Sequence, residues 1–162
     1  MTTAHYPPLW LVALLVFMAF VFQGTRGIWE PDEGRYTSVG LNMIESGDYL
    51  LPTIDGERPH LTKPPITYWA LAGSFALLGK NEWVARLPGA LAFIGTGLFV
   101  FGLGRRFCPA RPWLPALVYA LSLASVLGAN VVSTDALLTF FEAAAMYAFV
   151  RAWVGQGEVD RR

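Results

Sequence analysis

Cysteine is almost missing from this chain. Cys108 stands alone, which excludes an intramolecular disulfide and a cysteine-cluster metal site. Histidine is nearly as scarce, with only His5 and His60, far apart in sequence. No Asn-x-Ser/Thr acceptor site occurs, and there are no internal repeats or low-complexity tracts. Met1 to Tyr6 holds no lysine or arginine, and Gln23-Gly24-Thr25-Arg26 offers no small-x-small cleavage site. Both absences argue against a cleaved signal peptide and for an uncleaved first span from about residue 8 to 23. Net charge is also lacking. Twelve basic residues balance 12 acidic ones, which excludes a broadly basic nucleic-acid binder, so no nucleic-acid partner is expected.

Above all, long stretches lack any charge. None occurs in the 18 residues between Arg86 and Arg105 or in the 23 between Arg111 and Asp135, and Glu142 alone interrupts the run from Asp135 to Arg151. The 162 residues are 54% hydrophobic, with mean hydropathy +0.43. A helix needs about 20 apolar residues to cross about 30 Å of hydrocarbon. A soluble bundle would need polar outer faces, which these runs do not have. The class expected is an all-α membrane protein with about four transmembrane helices, roughly 8–23, 86–104, 112–134 and 136–153.

Charge sets the expected topology. The short loop 105–111 carries Arg105, Arg106 and Arg111 and no acid, so the positive-inside rule puts it in the cytoplasm with both chain ends. The long loop 24–85 then faces outward, and 155–162 forms a solvated cytoplasmic tail. Segment 64–79, with Pro64-Pro65 at its start, reads as a helix lying at the interface, with Tyr68 and Trp69 among headgroups. Pro31-Asp32-Glu33 starts a further helix that Ser46-Gly47-Asp48 ends. Asp55-Gly56-Glu57 is a turn after a short strand-like piece, Tyr49 to Ile54. Gly95-Thr96-Gly97 has the wrong spacing for a phosphate loop and reads as helix packing.

The polar chemistry gathers in the outer loop. Trp29-Glu30-Pro31-Asp32-Glu33-Gly34-Arg35-Tyr36 sets three carboxylates beside an arginine and a tyrosine at a membrane mouth. Lys63-Pro64-Pro65 presents a cation ahead of the next apolar stretch. This pattern suits a charged group delivered from lipid. His60 reads as an exposed loop residue. Glu142 lies seven residues after Asp135 on nearly the same helix face and should face protein or water.

Five motifs occur in order: Glu30-Pro31-Asp32-Glu33-Gly34-Arg35-Tyr36, Glu45-Ser46-Gly47-Asp48-Tyr49, Lys63-Pro64-Pro65-Ile66-Thr67-Tyr68-Trp69, Asn81-Glu82-Trp83-Val84-Ala85-Arg86-Leu87-Pro88 and Ser133-Thr134-Asp135-Ala136. Together they resemble the N-terminal part of membrane glycosyltransferases that use polyprenyl-phosphate sugars. That family includes the lipid A aminoarabinose transferases and is related to the protein O-mannosyltransferases. The resemblance covers about residues 8–154. It implies a partial GT-C fold, an active face outward, a bacterial inner-membrane location and a lipid-linked sugar donor.

By the resemblance, Asp32 matches the catalytic acid, Lys63 the residue that holds the lipid phosphate, and Asp135 an acid at the outer end of a later span. Glu33, Arg35 and Tyr36 share the first motif and are carried as substrate contacts, although Glu33 reads first as a helix cap. Where the aminoarabinose branch commonly has an aromatic and a glutamate before the lysine, this chain has His60 and Thr62. The missing glutamate weakens a metal site, so no metal ligand is assigned and a divalent cation stays open as the sole cofactor. Family members run to several hundred residues. The chain alone is therefore expected to insert into membrane without transferring sugar, its partner being a C-terminal half or another membrane subunit.

The chemistry also stands apart from the name. Phosphate is a good leaving group, so positive charge from Lys63 helps its departure and Asp32 serves as base for an incoming hydroxyl. Two other classes compete: a small membrane scaffold or partner-dependent subunit, which the short length favours, and a transporter fragment, which intramembrane Glu142 favours.

Overall fold

The computed structural model describes residues 6–159, and within them the regular structure is helical. Seven helices follow in order: α1 (Leu9–Phe20), α2 (Asp32–Ser46), α3 (Ile66–Leu78), α4 (Glu82–Phe107), α5 (Leu114–Leu121), α6 (Leu123–Ala129) and α7 (Asp135–Val159).

The central element is α4, which packs most extensively against α1, α3, α5, α6 and α7 and meets α2 only near its start, while α2 packs mainly on α3. Its start is well specified: the Asn81 side chain caps it, accepting from the Val84 amide at 3.0 Å, and Glu82 lies in the first turn. Arg105 and Arg106 occupy its last turn, where the helix dipole favours cations. Two buried clusters divide along it. Val84 and Ala85 join Tyr36, Val39, Met43, Tyr68, Leu71, Ala72, Phe75 and Val132, so the first turn of α4 meets α2 and α3. Further along, Ala90, Phe93 and Phe101 join Leu11, Leu15 and Ala19 of α1 and small residues of α5 and α6.

Glycines let these helices approach. A Cβ at Gly95 would run into the Phe140 ring, one at Gly102 into the Tyr147 ring, and one at Gly97 into the Leu15 side chain. Gly95 and Gly102 face α7 and Gly97 faces α1, so the stretch around Gly95-Thr96-Gly97 is a packing seam, as its spacing indicates.

Two helices, α4 and Asp135–Trp153 of α7, are long and apolar enough to cross a membrane. These correspond to two of the four expected spans. With 12 residues, α1 extends only about 18 Å. The run 112–134 is not one helix but two short ones. Ser122 leaves helical backbone at φ −66, ψ 123 and is both the end of α5 and the start of α6. Hydropathy counts apolar residues and is blind to one extended residue among them. Likewise α7 continues to Val159, so the stretch from 155 expected as a solvated tail begins as helix, and residues 160–162 lie outside those described.

Between α1 and α4 the expectations hold in outline. α2 starts at Asp32 and ends at Gly47, which takes left-handed backbone (φ 72). The turn at Asp55 to Glu57 closes a single antiparallel bridge, Thr53 to Pro59, rather than a true hairpin. α3 forms where the interfacial helix was expected, but Tyr68 is fully buried in the α2–α3–α4 cluster and not among headgroups. Its neighbour Trp69 is exposed and donates its indole N–H to the Tyr49 carbonyl at 2.7 Å.

Candidate active site

The N-terminus of α2 is held by one buried ion-pair hub. Glu33 follows Asp32 in the first turn and is 2% exposed. Its Oε1 accepts from Arg86 Nε at 3.0 Å and from the Val132 amide at 2.8 Å. Its Oε2 accepts from Arg86 Nη2 at 3.2 Å, from the Trp29 amide at 2.8 Å and from Arg26 Nη1. Arg86, fully buried, spends its other donors on the carbonyls of Gln23, Arg26 and Gly27 at 2.8–3.0 Å. Arg26 lies 3.8 Å from the centre of the Trp29 ring and reaches the Asn130 carbonyl at 3.0 Å. Burial pushes the Glu33 carboxyl up, but the hydrogen bonds from Arg86, Arg26, Trp29 and Val132 outweigh it and hold the group down at about 2. Five donors on two oxygens leave this carboxylate to the protein itself.

Gln23 and Asn130 extend the hub into the helices. Gln23 donates to the carbonyls of Ala19 and Ala129, and Asn130 to those of Met18 and Val126. The loop after α1, the start of α2, the second turn of α4 and the approach to α7 therefore meet at one point. None of Arg26, Gln23, Arg86 or Asn130 was assigned a role from sequence. Arg86 had a legible signal: a charge on the margin of an 18-residue uncharged run, inside one of the ordered motifs.

The hub leaves Asp32 outside. Its side chain is 66% exposed and lies 3.6 Å from Arg35, one turn along α2. The Glu30 carboxylate folds back over the Cα of Gly34, into the space a Cβ there would occupy. Tyr36 is buried, with its ring 6.2 Å from that of Tyr68. Among the described residues the Tyr68 hydroxyl finds no partner, and burial pushes it up to about 12, with Tyr36 adding and Arg35 opposing. His60 is buried against Tyr68 at 5.9 Å and shares a 3.1 Å hydrogen bond between Nε2 and Thr62 Oγ1. The exposed loop position expected for His60 is thus corrected: it packs beneath the turn that carries Lys63. Burial and the nearby Arg35 charge lower its pKa.

Lys63 is exposed just ahead of α3 and forms no ion pair among the described residues. Asp135 is the first residue of α7, also exposed. It lines a cavity of about 330 Å³ with Phe93, Tyr119, Ser125, Ser133 and Thr139. Glu142, two turns further along α7, is exposed as well. Among the described residues no three His, Cys, Asp or Glu side chains gather as a metal site. At the position of the missing glutamate, the Thr62 hydroxyl is hydrogen-bonded with His60.

Residues 62–158 match the sequence model of the dolichyl-phosphate-mannose-protein mannosyltransferase family. A protein of Shewanella sediminis, an undecaprenyl phosphate-alpha-4-amino-4-deoxy-L-arabinose arabinosyl transferase, is 32% identical over 88% of this chain and 26% of its own length. An uncharacterised protein of Aquifex aeolicus is 31% identical over 85% of this chain and 28% of its own length. The crystal structure of ArnT from Cupriavidus metallidurans bound to undecaprenyl phosphate superposes with TM-score 0.74 at 26% identity, over 86% of this chain and 26% of that one. The chain thus spans about a quarter of the length of these relatives. The all-helical GT-C fold expected from the motifs is the fold it shares with ArnT. With the family model covering more than half of its residues, the chain belongs to the dolichyl-phosphate-mannose-protein mannosyltransferase family.

Proposed function

We propose that this chain forms the N-terminal part of a membrane glycosyltransferase that moves a sugar from an undecaprenyl-phosphate carrier to a lipid, glycan or protein acceptor at the outer membrane face. One observation carries the reading: the Val132 amide on Glu33 joins the first turn of α2 to the approach of α7. Two exposed acids that open these helices, Asp32 and Asp135, are thereby drawn toward one end of α4, and Asp135 lines a cavity. In the reaction the bond between the anomeric carbon and the phosphate oxygen breaks, and Lys63 stabilises the departing phosphate. Asp32 takes the proton of the attacking hydroxyl. Asp135, Arg35 and Tyr36 line or orient the substrates, while Glu33 holds the frame. The membrane arrangement is four crossings with 24–85 outside as the first outer loop, α2 and α3 at the interface, and 1–154 as one membrane portion. Further spans of the family complete the acceptor side.

The test is sugar transfer in membranes by the protein carried through the full length of its family, with undecaprenyl-phosphate aminoarabinose as first donor. Asp32→Asn and Lys63→Ala should each lower the rate at least about tenfold, the scale of a lost base or charge contact. Wild-type rates in both variants, with normal insertion, would remove these residues from the mechanism.

A further inference from the structure

Helix α7 is covered on one side only. Ala136, Phe140 and Tyr147 face α4 at Gly89, Gly95 and Gly102, and the two rings also meet Phe99. No residue from Asp135 to Trp153 is buried, against 44% of the apolar stretch of α4.

Glu142 stands two residues on from Phe140, about 200° round the helix, so it points away from α4. Leu138, Met146, Phe149 and Trp153 share that outer face, and all are exposed. Glu142 is exposed too and has no hydrogen bond or ion pair among the described residues. At about 1.5 Å per residue it lies about 10 Å from Asp135 and about 16 Å from Trp153, well inside the hydrocarbon. An acid at that depth faces protein or water and pairs with a cation or another donor.

This chain has no cation to offer there. Helices α1, α5 and α6 carry no charged residue, and α4 none between Arg86 and Arg105. Arg151 lies about 13 Å further along α7 and sits over the Tyr147 ring, on the α4 side. A second copy in the same orientation would set Glu142 against Glu142. The complement therefore comes from other sequence, and the chain spans only about a quarter of the length of its relatives.

We infer that the Glu142 face of α7 docks a further transmembrane helix of the same protein, one that presents an arginine or lysine at mid-membrane. Leu138, Met146 and Phe149 pack against that helix while Glu142 takes its cation. The inference rests on reading the chain as the N-terminal part of a longer membrane protein and is independent of glycosyl transfer.

The chain, with a donor dye on its single thiol, Cys108, is reconstituted in dioleoylphosphatidylcholine vesicles with acceptor-labelled polyleucine helices, and energy transfer reports association. A peptide with one central arginine should bind about tenfold more tightly than the all-leucine peptide, the scale of one polar contact between membrane helices. Moving the arginine two turns toward one end, or Glu142→Gln in the chain, should remove the preference. Glu57→Gln, in the outer loop, should keep it. Circular dichroism reports the folding of both variants, and the peptide series with wild type decides if Glu142→Gln misfolds. Equal binding of the central-arginine and all-leucine peptides would overturn the inference, and equally tight binding of a central-glutamine peptide would overturn the cationic assignment. In the protein carried through the full length of its family, photoreactive benzoylphenylalanine in place of Glu142 should crosslink to its own chain beyond residue 162. Crosslinks to a second copy or to another protein would overturn the same-chain source. Neither readout uses sugar transfer, so a failed catalytic assignment leaves both standing.

Discussion

Arg86 and Glu33, 53 positions apart, meet through two hydrogen bonds of 3.0 and 3.2 Å, with neither side chain more than 2% exposed. The pair fastens the loop region to the helices at the point where α2 begins. A buried charge that loses its partner is costly, on the order of 3–5 kcal/mol. Glu33→Ala and Arg86→Ala should each lower the thermal midpoint in detergent sharply. The double variant should lose less than the sum of the two, because each single change strands the other charge.

Acid should act through the same pair. Glu33 titrates at about 2 in the folded chain, against an ordinary value of 4.5. The unfolded chain therefore takes up the proton first as pH falls. The stability that Glu33 contributes is complete above about 4.5 and drains away toward 2. Unfolding measured from pH 6 to 2 should show a fall that Glu33→Gln flattens. Identical slopes for the two proteins would dissociate the pair from acid sensitivity.

Glycines on α4 are not equivalent to glycines elsewhere. Gly97→Val must displace Leu15, and Gly95→Val must displace Phe140, so each should cost about 1–3 kcal/mol of stability. Gly73 of α3 has nothing within 4 Å of a built Cβ, so Gly73→Ala should be neutral or slightly stabilising. Comparing the three by thermal unfolding checks the seam. A Gly73 variant as damaged as the other two would point to a general intolerance instead.

The unpartnered Tyr68 hydroxyl gives opposite expectations for stability and activity. Removing a buried polar group that has no partner should stabilise Tyr68→Phe by about 1 kcal/mol. A substrate contact through that hydroxyl would at the same time reduce transfer in the full-length enzyme. A variant that melts lower than wild type would reveal a hydrogen bond made by this group.

Topology is open to chemical labelling. Cys108 is exposed at the end of α4, and Glu57 lies in the exposed turn between α2 and α3. With the proposed orientation, an impermeant thiol reagent on intact cells should label Glu57→Cys and spare Cys108. Reaction of Cys108 from outside would invert the arrangement.

The helical class, the start of α2 at Asp32, its glycine stop, the place of α3 and the packing role of the α4 glycines were legible because local chemistry decides each. Acids and Pro31 open α2, Gly47 takes a backbone that other residues avoid, and uncharged runs with small residues pack. The break at Ser122, the burial of His60 and Tyr68 and the hub around Arg86 were not legible. The hub joins residues 53 to 112 positions apart, His60 and Tyr68 are buried by packing between separate segments, and the break rests on one backbone angle; no periodic pattern carries such information. Of the candidate site, motif order brought out Asp32, Lys63 and Asp135 as residues of interest. It set Asp32, the catalytic match, apart from Glu33, read first as a helix cap, but gave no sign of the five protein donors that converge on Glu33.

That separation matters for any survey of this chain by inactivation. Adjacent positions 32 and 33 turn their carboxylates to opposite fates, one to solvent and one to five protein donors. Replacing Glu33 frees the helix end on which its neighbour rides. An activity screen would score it beside Asp32, although its two oxygens are held by protein donors. Scored by loss alone, the hinge pin and the tool it holds become indistinguishable; only a readout of folding tells them apart.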